Sequence, residues 1–175
     1  MRPLWIVMAL FACKSGKDDK PASGSAAPGG GCTHVDICTL IPLADANAKL
    51  GLKTDAATPQ MHDEGDRIAD GCEYRRTGAT GRDLKIGRFC MSDADDAKMM
   101  INIKMTEAPR KEGQRHDLEL GDKAFYVTDP SLHRVDMTIA VGNVLYVLED
   151  VQVEAGQDAA AVTGLTALAA TLLKK

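Results

Sequence analysis

Five cysteines, at positions 13, 32, 38, 72 and 90, offer the most chemistry in this 175-residue chain. Thiols can pair, bind a soft metal or carry lipid, and spacing decides among these. A redox C-x-x-C and a haem C-x-x-C-H are both absent. Cys32, His34 and Cys38 are spaced C-x-H-x₃-C, without the paired knuckle of structural zinc, and no second knuckle follows. No zinc site is expected there. If Cys13 is set aside, four cysteines remain, an even number that an oxidising compartment can pair. Three connectivities are open. The placement of the residues favours Cys38–Cys72 and Cys32–Cys90, stapling a first helix and a leading arm onto a hairpin. Closing the 38–72 loop is worth about 3.8 kcal/mol in the chain-entropy account.

The other reactive side chains point to no assembled catalyst. The chain has no G-x-S-x-G elbow, no H-E-x-x-H, no P-loop and no G-x-G-x-x-G. His34, His62, His116 and His133 fall in predicted loops or at element ends, and none is three or four residues from another. They read as solvated loop histidines. Asp93, Asp95 and Asp96 invite calcium, but Lys98 and Lys104 stand where an EF-hand needs its Gly and its Glu. Helix capping explains them better. Asp63, Glu64 and Asp66 read as a solvated loop. Met91, Met99, Met100 and Met105 cluster, and thioethers suit Cu(I). Methionine is also the adaptable filler between helix and sheet, and that reading is preferred. No catalytic residue and no cofactor is therefore expected.

The N-terminus explains the leftover thiol. Arg2 is followed by Leu4–Ala12, an uncharged apolar run of nine residues. That length suits a signal-peptide h-region, roughly 7–15 residues, and is far short of the roughly 20 needed to span a bilayer. Residues 1–12 read as a signal peptide. Leu10-Phe11-Ala12-Cys13 resembles the lipobox of bacterial lipoproteins, with Leu three before the cysteine and a small residue just before it. Phe11 departs from the commonest pattern. The resemblance implies that Cys13 is lipidated, with palmitate among its acyl chains, and becomes the mature N-terminus. It also implies that Lys14, standing where an Asp retains lipoproteins at the inner membrane, directs the chain to the outer membrane, on its periplasmic side or surface. Residues 14–31 hold no large apolar side chain, so 13–31 reads as a lipidated cysteine plus a disordered tether. As a Gly/Ser-like coil it spans about 24 Å.

Charge limits the partners. The first 31 residues hold four basic and two acidic side chains, leaving 17 basic against 23 acidic for the other 144. An acidic domain is poorly suited to nucleic acid, whose phosphates need a basic surface. It has equally little attraction for anionic lipid.

Residues 32–175 read as a single α+β domain. Asp36 is a cap for a short turn over 37–41, Pro42 suits a first helical position, and Gly51 ends a helix over 43–50. Residues 52–69 read as a loop, with room for one short strand. Strands are expected over 71–77, 83–91, 124–128, 135–141 and 144–151, with Gly142-Asn143 as a hairpin turn. Ser92 is expected to cap a helix; Met99–Met105 could alternatively run as a strand, since Ile101, Ile103 and Met105 alternate, and Pro109 ends the element either way. Residues 110–119 read as a charged loop. The strand over 144–151 is apolar on both faces and so belongs in the middle of the sheet. An alanine-rich helix over 159–173 closes the chain. The expected order is α-β-β-α-β-β-β-α: an antiparallel sheet of about five strands with helices packed on one face.

Several local motifs recur together: Cys38–Ile41 leading to a helix that ends Leu50-Gly51, a Gly71–Tyr74 strand, the Leu120–Phe125 turn, the Gly142-Asn143 hairpin and the closing helix. With them the domain resembles the small two-cysteine lipoprotein domains of uncharacterised function found in bacteria. The resemblance covers about residues 36–175 and implies a fold and a location, not an activity. Cys32 and Cys90 are an addition to that pattern. The expected function is a membrane-anchored, non-catalytic binding or scaffolding module of the cell envelope, engaging another envelope protein or a polymer. The alternative is a tethered carrier of a small ligand or of copper.

Overall fold

The computed structural model describes residues 32–64, 67–75, 81–107 and 114–174. Residues 1–31, with the expected signal peptide, Cys13 and the expected tether, lie outside them, as do turn residues 78–80, the side chains of Asp63 and Glu64 and the whole of Asp66.

The chain opens with two short helices, α1 (Ile37–Leu40) and α2 (Leu43–Leu50). Asp36 caps α1: its carboxylate accepts from the Thr39 backbone N–H at 3.1 Å. Pro42 is the N-cap of α2 rather than its first helical residue. Gly51 ends α2 in the left-handed conformation, φ 64°, which glycine adopts without steric cost. Three strands follow: β1 (Ala56–Glu64), β2 (Arg67–Arg75) and β3 (Asp83–Cys90). Helix α3 (Ala94–Glu107) crosses to a four-strand meander: β4 (Gln114–Leu118), β5 (Lys123–Asp129), β6 (Arg134–Val141) and β7 (Val144–Val151). Helix α4 (Asp158–Leu172) closes the domain.

All seven strands form one open antiparallel sheet in the order β1-β2-β3-β7-β6-β5-β4. The expected α+β class holds, with seven strands in place of about five. The two extra strands, β1 and β4, are the sheet's edges. Edge strands are not buried on both faces and need no apolar run. Pro59 lies inside β1, tolerated because an edge strand can spare an N–H from the ladder. Residues 114–118, Gln-Arg-His-Asp-Leu, are almost wholly exposed. Polar composition made both stretches read as loops. As the apolar pattern of residues 144–151 requires, β7 is the fourth of the seven strands.

The expectation of helices on one face is corrected. Helices α1, α2 and α4 cover one face, where Ile37, Ile41, Leu50, Leu165 and Leu168 pack on Tyr74, Leu84, Ile86, Met137, Ile139 and Leu148. Helix α3 covers part of the other, where Ala97 and Ile101 pack on Phe125, Val127, Ala140, Leu145 and Val147. The cause is the apolar composition of β5–β7 on both sides: Leu145 and Val147 alternate with Leu148, and each row must be buried. Asp93, not Ser92, caps α3, accepting from the N–H groups of Asp95 at 2.9 Å and Asp96 at 2.8 Å. The Ser92 hydroxyl instead donates to the Asp96 carboxylate.

Candidate functional site

The cysteine-stapled domain is present. Cys32 is joined to Cys90, with Cα atoms 5.9 Å apart, and Cys38 to Cys72, at 5.2 Å. Between the bridges the arm runs over the β2–β3 pair and is held at nearly every residue. Asp70 and Arg88 face each other across these strands. Arg88 Nη1 donates to Asp70 Oδ2 at 2.7 Å and to the Thr33 carbonyl at 3.2 Å. The same carboxylate takes the Val35 N–H at 3.1 Å and lies 2.6 Å from His34 Nδ1. Further along, the buried Tyr74 hydroxyl donates to the Ile41 carbonyl at 2.6 Å. Burial is the main reason its phenol is held well above the ordinary range, with the Asp36 charge adding to it.

A second pair, with its carboxylate buried and its guanidinium partly so, sits at the opposite end of the strands. Arg82 grips Asp150 with two bonds of 2.7 and 2.5 Å and spends a third, at 3.0 Å, on the Leu50 carbonyl that ends α2. Burial raises the Asp150 carboxyl above its usual value, against the downward pull of Arg82. One pair holds the arm to the sheet and the other holds α2 to it.

The surface left open lies on the α3 side of β1–β3. Strand register sets three rows of side chains across this face. One reads Thr58, Glu73, Lys85, Glu149, Asp136; the next Gln60, Gly71, Gly87, Val147, Thr138; the third His62, Ala69, Phe89, Leu145, Ala140. Helix α3 covers the β5–β7 end and stops short of β1–β3. The uncovered part is a groove of about 430 Å³, walled on one side by Lys104 of α3. Gly71 and Gly87 pair directly in its floor. The Phe89 ring lies over Gly87, where an added Cβ would stand 3.0 Å from Phe89 Cε2. Phe89 is 36% exposed, so an aromatic surface faces solvent inside the groove.

On the rim, Glu73, Lys85 and Glu149 are held in ion pairs. Lys85 Nζ is 3.2 Å from Glu73, which also takes Arg75, and Glu149 takes Arg134 at 2.7 Å. Among the described residues the groove is lined by no serine or threonine, and its cysteine, Cys72, is locked in a disulfide. The arrangement can stack and hydrogen-bond a ligand.

The sequence matches no protein-family model and no curated protein.

The histidines are dispersed, and not all are loop residues. His34 contacts Asp70, His62 is in β1 at the groove, His116 in β4 stacks on Tyr126 at 4.8 Å between centroids, and His133 stands in a turn at φ 51°. Among the described residues no group of three His, Cys, Asp or Glu could hold a metal ion. Met91 is buried in the smaller core with Met100 and Met105 packed against that core, while Met99 is half-exposed. Packing accounts for three of the four thioethers. Sequence reasoning missed Asp70, Arg88 and Asp150, charged residues at inward-facing strand positions, and Arg82, which stands just before β3. It also missed the groove, whose floor is marked only by glycines at matched positions in two successive strands.

Proposed function

We propose that this chain is a lipid-anchored protein of the cell envelope, lipidated at Cys13, whose stapled domain is a non-catalytic binding module that uses the groove beside α3. Three features support the reading. The N-terminal order of basic residue, apolar run, cysteine and tether is that of a lipoprotein leader. Two disulfides suit an oxidising compartment. The groove is the observation that carries binding: an open, partly apolar concavity rimmed by polar side chains on a filled core. A tether of about 24 Å holds such a face near a bilayer without pressing it against one. Lys14 favours the outer membrane.

The test places a photoreactive residue at Gln60, inside the groove, and at Leu132, which is 59% exposed elsewhere. In intact cells the Gln60 probe is expected to give discrete adducts that the Leu132 probe does not. Equal, diffuse labelling at both positions contradicts a binding role for the groove.

A further inference from the structure

Resting on the binding-module reading, we infer that the groove takes a neutral carbohydrate chain, with a sugar ring stacked on Phe89 above the Gly71–Gly87 pair. The floor decides the shape of the ligand. Two glycines in register leave a strip of sheet without side chains, and the Phe89 ring lies over Gly87. The exposed side of that ring is a flat apolar platform. A flat ring with apolar C–H faces and polar edges fits it.

Charge decides the class. Lys85 and Lys104 stand in the groove against Glu73 and Glu149, and the Asp70 carboxylate beneath is taken by Arg88, so its fixed charges balance. Lys85 is paired with Glu73 and Glu149 with Arg134. Nucleotides and other phosphorylated ligands need a surplus of positive charge, which this groove does not offer. A neutral polyol needs none. Its hydroxyls both donate and accept, and the rim supplies partners of both kinds: the Gln60 amide, the His62 ring, the carboxylates and the ammonium groups. A peptide adding as a strand would use the free edge of β1 and not the groove's floor, where backbone groups are already bonded across β2, β3 and β7.

The test is saturation-transfer NMR on the full-length mature protein in a sugar-free detergent, with triacetylchitotriose and maltotetraose as neutral probes and guanosine monophosphate as the anionic comparison. Transfer to the ring C–H protons of at least one saccharide is expected. Phe89→Ala should weaken that binding at least tenfold. Phe89→Leu, which keeps bulk over Gly87 and removes the aromatic face, should weaken it nearly as much while leaving the thermal midpoint within a few degrees of wild type. No transfer to either saccharide, transfer that survives both substitutions, or tighter binding of the nucleotide overturns the inference. A protein adduct from the Gln60 probe in cells, with no saccharide binding, sinks the carbohydrate and leaves the binding module standing. Absence of any groove adduct removes the module itself.

Discussion

Asp70 of β2 and Arg88 of β3 are directly opposite each other in register, and together they hold the backbone of Thr33 and Val35. The pair is therefore a clamp on the arm that leads to the N-terminus, placed between two disulfides that grip the same arm. Its Asp70 side chain is wholly buried and that of Arg88 nearly so. Removing one partner of a buried pair strands the other charge, a larger loss than the pair's net worth. Asp70→Ala is expected to cost about 3 kcal/mol, read as a lower urea midpoint with an unchanged slope. A midpoint equal to wild type would show that the arm does not depend on the clamp.

The two bridges should matter separately. Replacing Cys38 and Cys72 together by alanine frees α1 from β2, and the chain-entropy account gives a loss of about 3.8 kcal/mol. Replacing Cys32 and Cys90 should leave α1 in place, because Asp70 and Arg88 still hold the arm behind it. Amide exchange at Ile41, whose N–H bonds to the Ile37 carbonyl at 2.9 Å, reads the difference. Faster exchange is expected in the first double variant and little change in the second.

Tyr74 makes a prediction in alkali. Its folded phenol titrates well above the ordinary value of 10.0, mainly through burial. The folded state thus keeps a proton that the unfolded chain loses. The contribution is complete below pH 10 and is lost as pH rises from there toward the raised folded value. Unfolding free energies measured from pH 8 to 11 should fall at the alkaline end, and less steeply in Tyr74→Phe. That variant should also lose about 1–3 kcal/mol at neutral pH, because the buried Ile41 carbonyl loses its hydroxyl donor. Parallel alkaline limbs in the two proteins would show that Tyr74 is not the cause.

Gly164 sets two effects against each other. Alanine gains about 1 kcal/mol over glycine in a helix interior. In α4, however, a Cβ on Gly164 would stand 2.4 Å from Leu50 Cδ2 and 2.6 Å from the Lys49 carbonyl. The second of these is backbone and cannot swing aside. Overpacking costs about 1–3 kcal/mol, so Gly164→Ala is expected to destabilise by calorimetry. A raised melting temperature would mean that α2 and α4 separate more easily than their contact implies.

Legibility in the sequence followed the physics of each segment. The hairpin at Gly142-Asn143 and the central place of residues 144–151 were readable because alternation and two-faced burial leave a pattern in the residues. The cap at Asp36 and the stop at Gly51 were readable because local hydrogen bonds and a positive φ select residue types directly. The edges β1 and β4 were not, since an exposed strand needs no apolar period and Pro59 argues against one. The side chosen by α3 was not, because a stripe of Ala97 and Ile101 does not say which face of a sheet it will cover. The buried charges and the groove were the hardest. Asp70 meets Arg88, and Gly71 meets Gly87, only once register is known.

The most direct measurement for the proposed function is groove crosslinking in the anchored protein and in Cys13→Ser. A photoreactive residue at Gln60 should yield a discrete adduct in the wild-type background, in the membrane fraction. The same adduct should fall sharply in Cys13→Ser, which should fractionate as soluble protein. A Cys13→Ser protein that stays with the membrane, or a Gln60 probe that captures nothing the Leu132 probe does not, contradicts a lipid-tethered binding module.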